Sequence, residues 1–225
     1  MKQSRPIHHR APLTHSTHTL LVHRLSYPEL WRLAQGGLFA FAVLLRVKWF
    51  KSAQFDHTIT SPYRTALLND PVLPAILQDR FTAARAQYEA LGFRYLGTDA
   101  DGLRVNGCLA HFLRGPVVAI QVIAARLNYA TLMSFPRGAK PINTANGRGV
   151  VDGTALHDWM LLPRLTRIAA LTEQHLTRIA PLGLPDLTEE TALDALEQLA
   201  RDAQAHQVAR GVFIMQSPAP VPPGK

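Results

Sequence analysis

The sequence predicts an α+β fold: an antiparallel meander of about five strands packed against two to three helices, preceded by a hydrophobic N-terminal helix. Three observations carry this expectation. Apolar residues recur at helical spacing over residues 77–91, change to short strand-like runs broken by turn residues over 93–145, and return to helical spacing from about residue 163. Consecutive short strands with tight connections imply antiparallel neighbours, and helices on both sides of them in sequence imply layering of helix on sheet.

Residues 1–26 hold five of the ten histidines, His8, His9, His15, His18 and His23, among Arg, Thr and Ser with little apolar periodicity, and read as a flexible basic arm. His8-His9 and the His15/His18 pair have no carboxylate or thiolate nearby to complete a metal geometry, so no metal site is expected there. The arm lacks the early apolar run and small-residue cleavage site of a secretory signal.

Residues 27–51 form the hydrophobic segment. Its uncharged core, residues 33–45, spans about 20 Å as a helix, short of a hydrocarbon core of about 30 Å. Trp31 and Trp49 stand eighteen positions apart, about 27 Å along a continuous helix, a spacing suited to two interfacial belts. Arg32, Arg46, Lys48 and Lys51 flank or punctuate the run and are, with the two tryptophans, the candidate contacts to membrane and anionic lipid. Three placements fit: spanning the bilayer, lying in its interface, or packing in a soluble core.

Residues 52–69 read as a linker with proline and Asn-Asp breakers, and residues 70–215 as the α+β domain. Its first helix starts near Pro74 and presents Leu77, Phe81, Ala84, Tyr88 and Leu91 to the core, with Gly92 as a left-handed cap. Strand candidates follow at 93–97, 103–105, 108–113, 117–125, 129–135 and 141–145. The run over 117–125 is too apolar for an exposed strand and belongs at the centre, whereas Pro141 suits an edge. Residues 146–163 look irregular. From about Pro163 a helix is expected, with Leu165-Thr166-Arg167-Ile168-Ala169 echoed eleven residues later by Leu176-Thr177-Arg178-Ile179-Ala180, so that both copies project alike. Asp186 and Glu189 have the spacing of a capping box for the last helix, Gly211 stops it, residues 212–215 offer a strand for the sheet edge, and 216–225 is a proline-rich tail.

The net charge of +8 is concentrated rather than spread. Residues 1–51 carry eight Lys and Arg against the single acid Glu29, whereas the other 174 residues carry sixteen bases and fifteen acids. The domain therefore offers no broad field for a polyanion, and the basic character sits beside the apolar segment, where anionic head groups account for it. Cys108 is alone, so no intramolecular disulfide forms.

No catalytic constellation emerges. Cys108 and His111, three apart on a strand, point to opposite faces. Gly147-Arg148-Gly149-Val150-Val151-Asp152-Gly153 lacks the spacing and the strand-to-helix context of a dinucleotide loop. His157-Asp158 is an acid-base candidate on irregular backbone, and Arg164, Arg167 and Arg178 form a basic stripe interrupted by Glu173. No cofactor is implied.

Over residues 88–146, the stretches Glu89-Ala90-Leu91-Gly92-Phe93-Arg94-Tyr95-Leu96-Gly97, Ser134-Phe135-Pro136-Arg137-Gly138 and Thr144-Ala145-Asn146 are short motifs. In these the chain resembles a loosely defined group of uncharacterised bacterial proteins with a hydrophobic N-terminal segment, an LGF turn and a small antiparallel sheet. The resemblance favours an N-terminal membrane segment, carries no transferable activity and names no catalytic residue. The resulting expectation is a non-enzymatic membrane-associated protein, held by residues 27–51 at the inner membrane with the α+β domain in the cytoplasm as an interaction module. The alternative is a soluble cytoplasmic binding module whose basic arm, residues 1–26, contacts nucleic acid or an acidic protein.

Overall fold

The computed structural model describes residues 14–34, 37–51, 54–61, 67–68, 73–99, 107–124, 128–147 and 155–215. Its centre is a seven-stranded sheet in simple sequence order, β3 (Leu67–Leu68), β4 (Arg94–Asp99), β5 (Gly107–Arg114), β6 (Val117–Ala124), β7 (Asn128–Ser134), β8 (Ile142–Ala145) and β9 (Asp158–Leu161). Neighbours pair antiparallel except β8 and β9, which run parallel with Ile142 opposite Asp158. The expected α+β class holds, with more strands than anticipated. β6 is the middle strand, and its Val117, Val118 and Ala119 are fully enclosed, as a run without exposed polar positions requires.

Strand alternation supplies two apolar faces. Cys108, Ala110 and Phe112 of β5 join Val117, Ala119 and Ile123 of β6 and Leu132 of β7 under α3 (Ala75–Ala90) and α4 (Ile168–Ile179). Leu96, Leu113, Val118 and Met133 pack on the opposite face against Leu193 and Leu196 of α5 (Glu189–Ala209). The body is thus a sheet with two helices on one side and one on the other. α3 buries Leu77, Phe81, Ala84 and Tyr88, the stripe read from its spacing. It ends at Gly92, whose φ of 79° lets the Phe93 N–H reach back to the Tyr88 carbonyl at 3.0 Å.

Three local expectations are corrected. The helix anticipated from Pro163 begins only at Ile168, because the Leu162 N–H bonds the Ala145 carbonyl and holds the chain on the sheet edge, and Arg167 is still extended. The first three residues of the eleven-residue echo are therefore not helical, and Leu165 is 94% exposed instead of inward, whereas Ile168 packs on the core as expected. α5 is capped by Thr188, which exchanges hydrogen bonds with Thr191, and not by Asp186. β9 occupies a stretch read as irregular, so β8 is not the edge. The candidate strand at 103–105 and the tail 216–225 lie outside the described residues.

The N-terminal region departs further. Within the anticipated arm, β1 (Thr14–Leu21) pairs antiparallel with β2 (Gln54–Ser61), itself within the anticipated linker, and with β10 (Phe213–Met215), giving a second sheet of order β10-β1-β2. The C-terminal strand thus joins this sheet and not the seven-stranded one. The hydrophobic segment is two helices, α1 (Tyr27–Leu33) and α2 (Leu38–Phe50), and not one. Val22, Leu25, Leu30 and Val212 form a third apolar cluster against which Phe41, Leu44, Leu45 and Val47 of α2 pack.

Candidate functional site

α1 is set by its cap. Glu29 is fully buried and its carboxylate accepts from the Ser26 N–H at 2.7 Å and the Ser26 hydroxyl at 2.8 Å, with Pro28 in the first turn. Both Arg210 guanidinium nitrogens donate to the same carboxylate at 3.0 and 3.1 Å, tying α1 to the end of α5. α2 starts after Gly37 and ends at Lys51, which is left-handed with φ 51°. Apart from Arg46 and Lys48 it is apolar on every side, yet none of its residues is buried.

At 100° per residue, Phe41, Leu44, Leu45 and Lys48 fall on the inner side of α2, and Leu38, Phe39, Ala42, Val43, Arg46, Trp49 and Phe50 fall on one outer arc. The exposures follow that division: Phe39 is 85% and Trp49 68% exposed, and Leu38, Val43 and Phe50 are exposed as well. Arg46 lies in the middle of the arc with its guanidinium over the Phe50 ring.

The six candidate lipid contacts separate accordingly. Trp49, Arg46 and Lys51 are on the outside, and Trp31 is partly exposed with its ring edge-on to Phe41 at 5.2 Å. Arg32 folds back to the Pro28 carbonyl at 3.2 Å. Lys48 is not placed for lipid: its Nζ donates to the His23 and Leu25 carbonyls at 2.8 and 2.6 Å and sits over Tyr27. Because the segment is folded as two helices, the rise that would set Trp31 and Trp49 at opposite interfaces does not apply. Among the described residues no helix is long and apolar enough to cross a membrane, and the spanning placement at the inner membrane loses its support.

The other candidates are structural. His157 and Asp158 diverge as strand neighbours do: His157 Nδ1 accepts from the Asn143 amide at 2.8 Å, while Asp158 pairs with Arg178 at 2.6 Å on the other side. Arg178 also donates to the Asn143 carbonyl, so it stitches α4 to the β8–β9 edge and leaves the basic stripe. Cys108 lies in the core under α3, where burial first, and the nearby Asp99 second, push its thiol up to about 11. Gly147 serves close packing: a Cβ there would meet Tyr129 Cγ at 2.5 Å, and Gly149 and Gly153 lie outside the described residues.

One buried polar cluster escaped the sequence reading. His175 of α4 is fully enclosed, with Nε2 3.0 Å from Ser134 Oγ and Nδ1 2.9 Å from Thr144 Oγ1. The Ser134 hydroxyl donates to the Pro116 carbonyl, so the imidazole must donate from Nε2 to Ser134, and Thr144 donates to Nδ1. Burial first, and Arg178 second, lower the imidazole to about 4, which keeps it neutral. A serine that gives its proton away from the histidine is not an activated nucleophile; the cluster locks α4 onto β7 and β8. Ser134 and Thr144 stand in the short motifs described above, but their common partner is thirty-one residues beyond Thr144 and carries no local signal.

No family model, no curated protein and no solved structure matches this chain.

Proposed function

We propose that the protein attaches peripherally to an anionic membrane surface through the outer arc of α2, without spanning it, and presents the α+β body as a non-enzymatic interaction module. The observation that supports this most is that arc: a continuous apolar strip of Leu38, Phe39, Val43, Trp49 and Phe50, with Arg46 in its middle and Lys51 at its end. An interfacial helix ordinarily has one apolar and one polar face. In α2 the inner face is satisfied by its own protein, so the outer face takes the role of the apolar one. Burying each of Phe39, Trp49 and Phe50 in the acyl boundary contributes about 1.5–3 kcal/mol. Arg46 and Lys51 add about 1 kcal/mol each against anionic head groups.

The test is co-sedimentation of the full chain with vesicles of phosphatidylcholine alone and of phosphatidylcholine with phosphatidylglycerol. The full chain is expected to pellet with the anionic vesicles, and the triple variant Phe39→Ser, Trp49→Ser, Phe50→Ser to stay in the supernatant with unchanged thermal stability. Equal pelleting of the two proteins overturns the reading. So does a full chain that stays in the supernatant as a dimer which the triple variant dissolves, because a second copy then covers the arc.

A further inference from the structure

Between α3, the β6–β7 end of the sheet and the turn leading into α4 lies an open cleft of about 900 Å³. Its polar lining includes Arg80, Arg164, Arg167, Gln121, Asn128 and Asn146, with Gln87, Tyr129 and Thr166 beside them, and among the described residues no Asp or Glu contributes to it. That is unusual in a body whose charges nearly cancel outside residues 1–51. Guanidinium groups gathered around one volume favour an anion there.

The amide groups decide what the cleft offers. Gln121 is buried; its Oε1 accepts from the Tyr88 hydroxyl at 3.3 Å, and its Nε2 donates to Asn128 Oδ1 at 2.6 Å and to the Tyr129 carbonyl at 3.1 Å. Asn146 Oδ1 accepts from the Ala130 N–H at 2.7 Å, and its Nδ2 donates to the Thr166 carbonyl at 2.9 Å. The side-chain carbonyl oxygens of Gln121, Asn128 and Asn146 are therefore consumed inside the protein. Asn128 is held by its oxygen, which leaves its Nδ2 as a donor on the cleft side. Arg80 is braced at the rim by a bond to the Ala124 carbonyl at 2.8 Å. Arg167 is exposed, and Ile168 and Ala169 beside it begin a helix with no acid and no side-chain cap in its first turn. The cleft thus gathers guanidinium charge and the Asn128 amide donor, with Gln87 on its exposed side and the apolar Leu91 and Leu165 as borders.

We infer that this cleft is a binding site for a phosphorylated molecule, held by Arg164 and Arg167 from the α4 side and by Asn128 from the sheet. Its volume suits a small-molecule ligand, and guanidinium groups match phosphate oxygens in geometry as well as charge. Late entry into α4 builds the site: had the helix started at Pro163, Arg164 would lie on its surface a turn away. The inference does not depend on membrane attachment, since the cleft and the α2 arc share no residue.

The probe is pyrophosphate, added to the full chain at constant ionic strength and read by thermal unfolding and calorimetric titration. A saturable rise in Tm is expected for the wild type. Arg167→Glu alone, and the Arg164→Ala, Arg167→Ala pair, should each weaken binding by about tenfold or more, while the triple variant of the α2 arc keeps the wild-type response. A parallel arm uses vesicles containing phosphatidic acid, in which the same phosphate is presented on a lipid. Loss of vesicle binding in the arginine variants names a head group as the source, and its retention names a soluble phosphate. If neither probe gives a response that depends on Arg164 and Arg167, the cleft is not a phosphate site.

Discussion

Phe112 and Phe39 are the same residue type in opposite situations. In the body, Phe112 has no exposed surface and stacks on Tyr88 with ring centroids 4.2 Å apart, and Tyr88 in turn meets Phe93 edge-on. In the N-terminal region, Phe39 belongs to a helix with eleven uncharged apolar residues in thirteen, yet it faces outward. The seven-stranded sheet has helices on both faces, which bury the apolar rows of β5, β6 and β7. Among the described residues, the small sheet with α1 and α2 gathers one apolar cluster, and the outer half of α2 is exposed. Hydrophobicity alone therefore does not report burial; the number of layers available to cover a segment does.

Substitutions and pH should expose this difference in graded fashion. Phe112→Ala is expected to cost about 3–5 kcal/mol in chemical denaturation, since it empties a closed site between α3 and the sheet. A cost below 1 kcal/mol would show that the body is no better packed than the N-terminal region.

Acid should act on the body next. The His175 imidazole is held near 4 in the folded state against an ordinary value of 6.5, so as pH falls the unfolded chain takes up a proton before the folded one. Its contribution is whole above about pH 6.5 and is lost progressively down to about pH 4, a loss of about 3 kcal/mol. His111, which burial also lowers to about 4, adds a term of the same sign. The slope of stability against pH should flatten in His175→Gln; an unchanged slope would mean that the imidazole is not enclosed.

The joint between the two regions comes third. Arg210→Ala leaves the Glu29 carboxylate buried without its guanidinium, and about 2 kcal/mol is expected, less than for a fully enclosed pair because Arg210 is partly exposed. Hydrogen exchange should show the loss in α1 and α2 and spare β4 to β7. Uniform destabilisation would mean that the two regions unfold as one. Last, Phe39→Ser should change stability by no more than about 0.5 kcal/mol, as exposed substitutions do. A cost as large as that of Phe112→Ala would place the arc under a cover formed by another copy.

Much of the body was legible in the residues. The stripe of α3, its glycine cap, the central position of β6 and the stop at Gly211 all follow from periodicity and turn chemistry. β1 was missed because alternating Thr and His give it little apolar signal, and its pairing with β2 and β10 joins chain segments up to about two hundred residues apart. β9 was missed because four residues in parallel register with β8 have no local hairpin to announce them. The echo at 165–169 and 176–180 was a genuine pattern whose consequence held only from Ile168 onward, since a bond from Leu162 to the edge of β8 outweighed helix propensity over residues 165–167.

For the candidate sites the division is similar. Sequence placed the basic charge and the tryptophans beside the hydrophobic segment, and it separated Cys108 from His111 by strand alternation. It could not distinguish Lys48, spent on two backbone carbonyls, from Arg46, which remains outside, because that depends on how α2 rolls against the turn before α1. Nor could it bring Arg80, Asn128 and Arg167 to one cleft or His175 between Ser134 and Thr144. What the sequence determined by itself was local: which segments form helix or strand, where turns fall, and which face of each is apolar, all set by interactions within a few residues. What only the tertiary structure decided was which apolar faces are covered and which polar groups meet, because those outcomes rest on contacts between distant segments whose free energies are settled together.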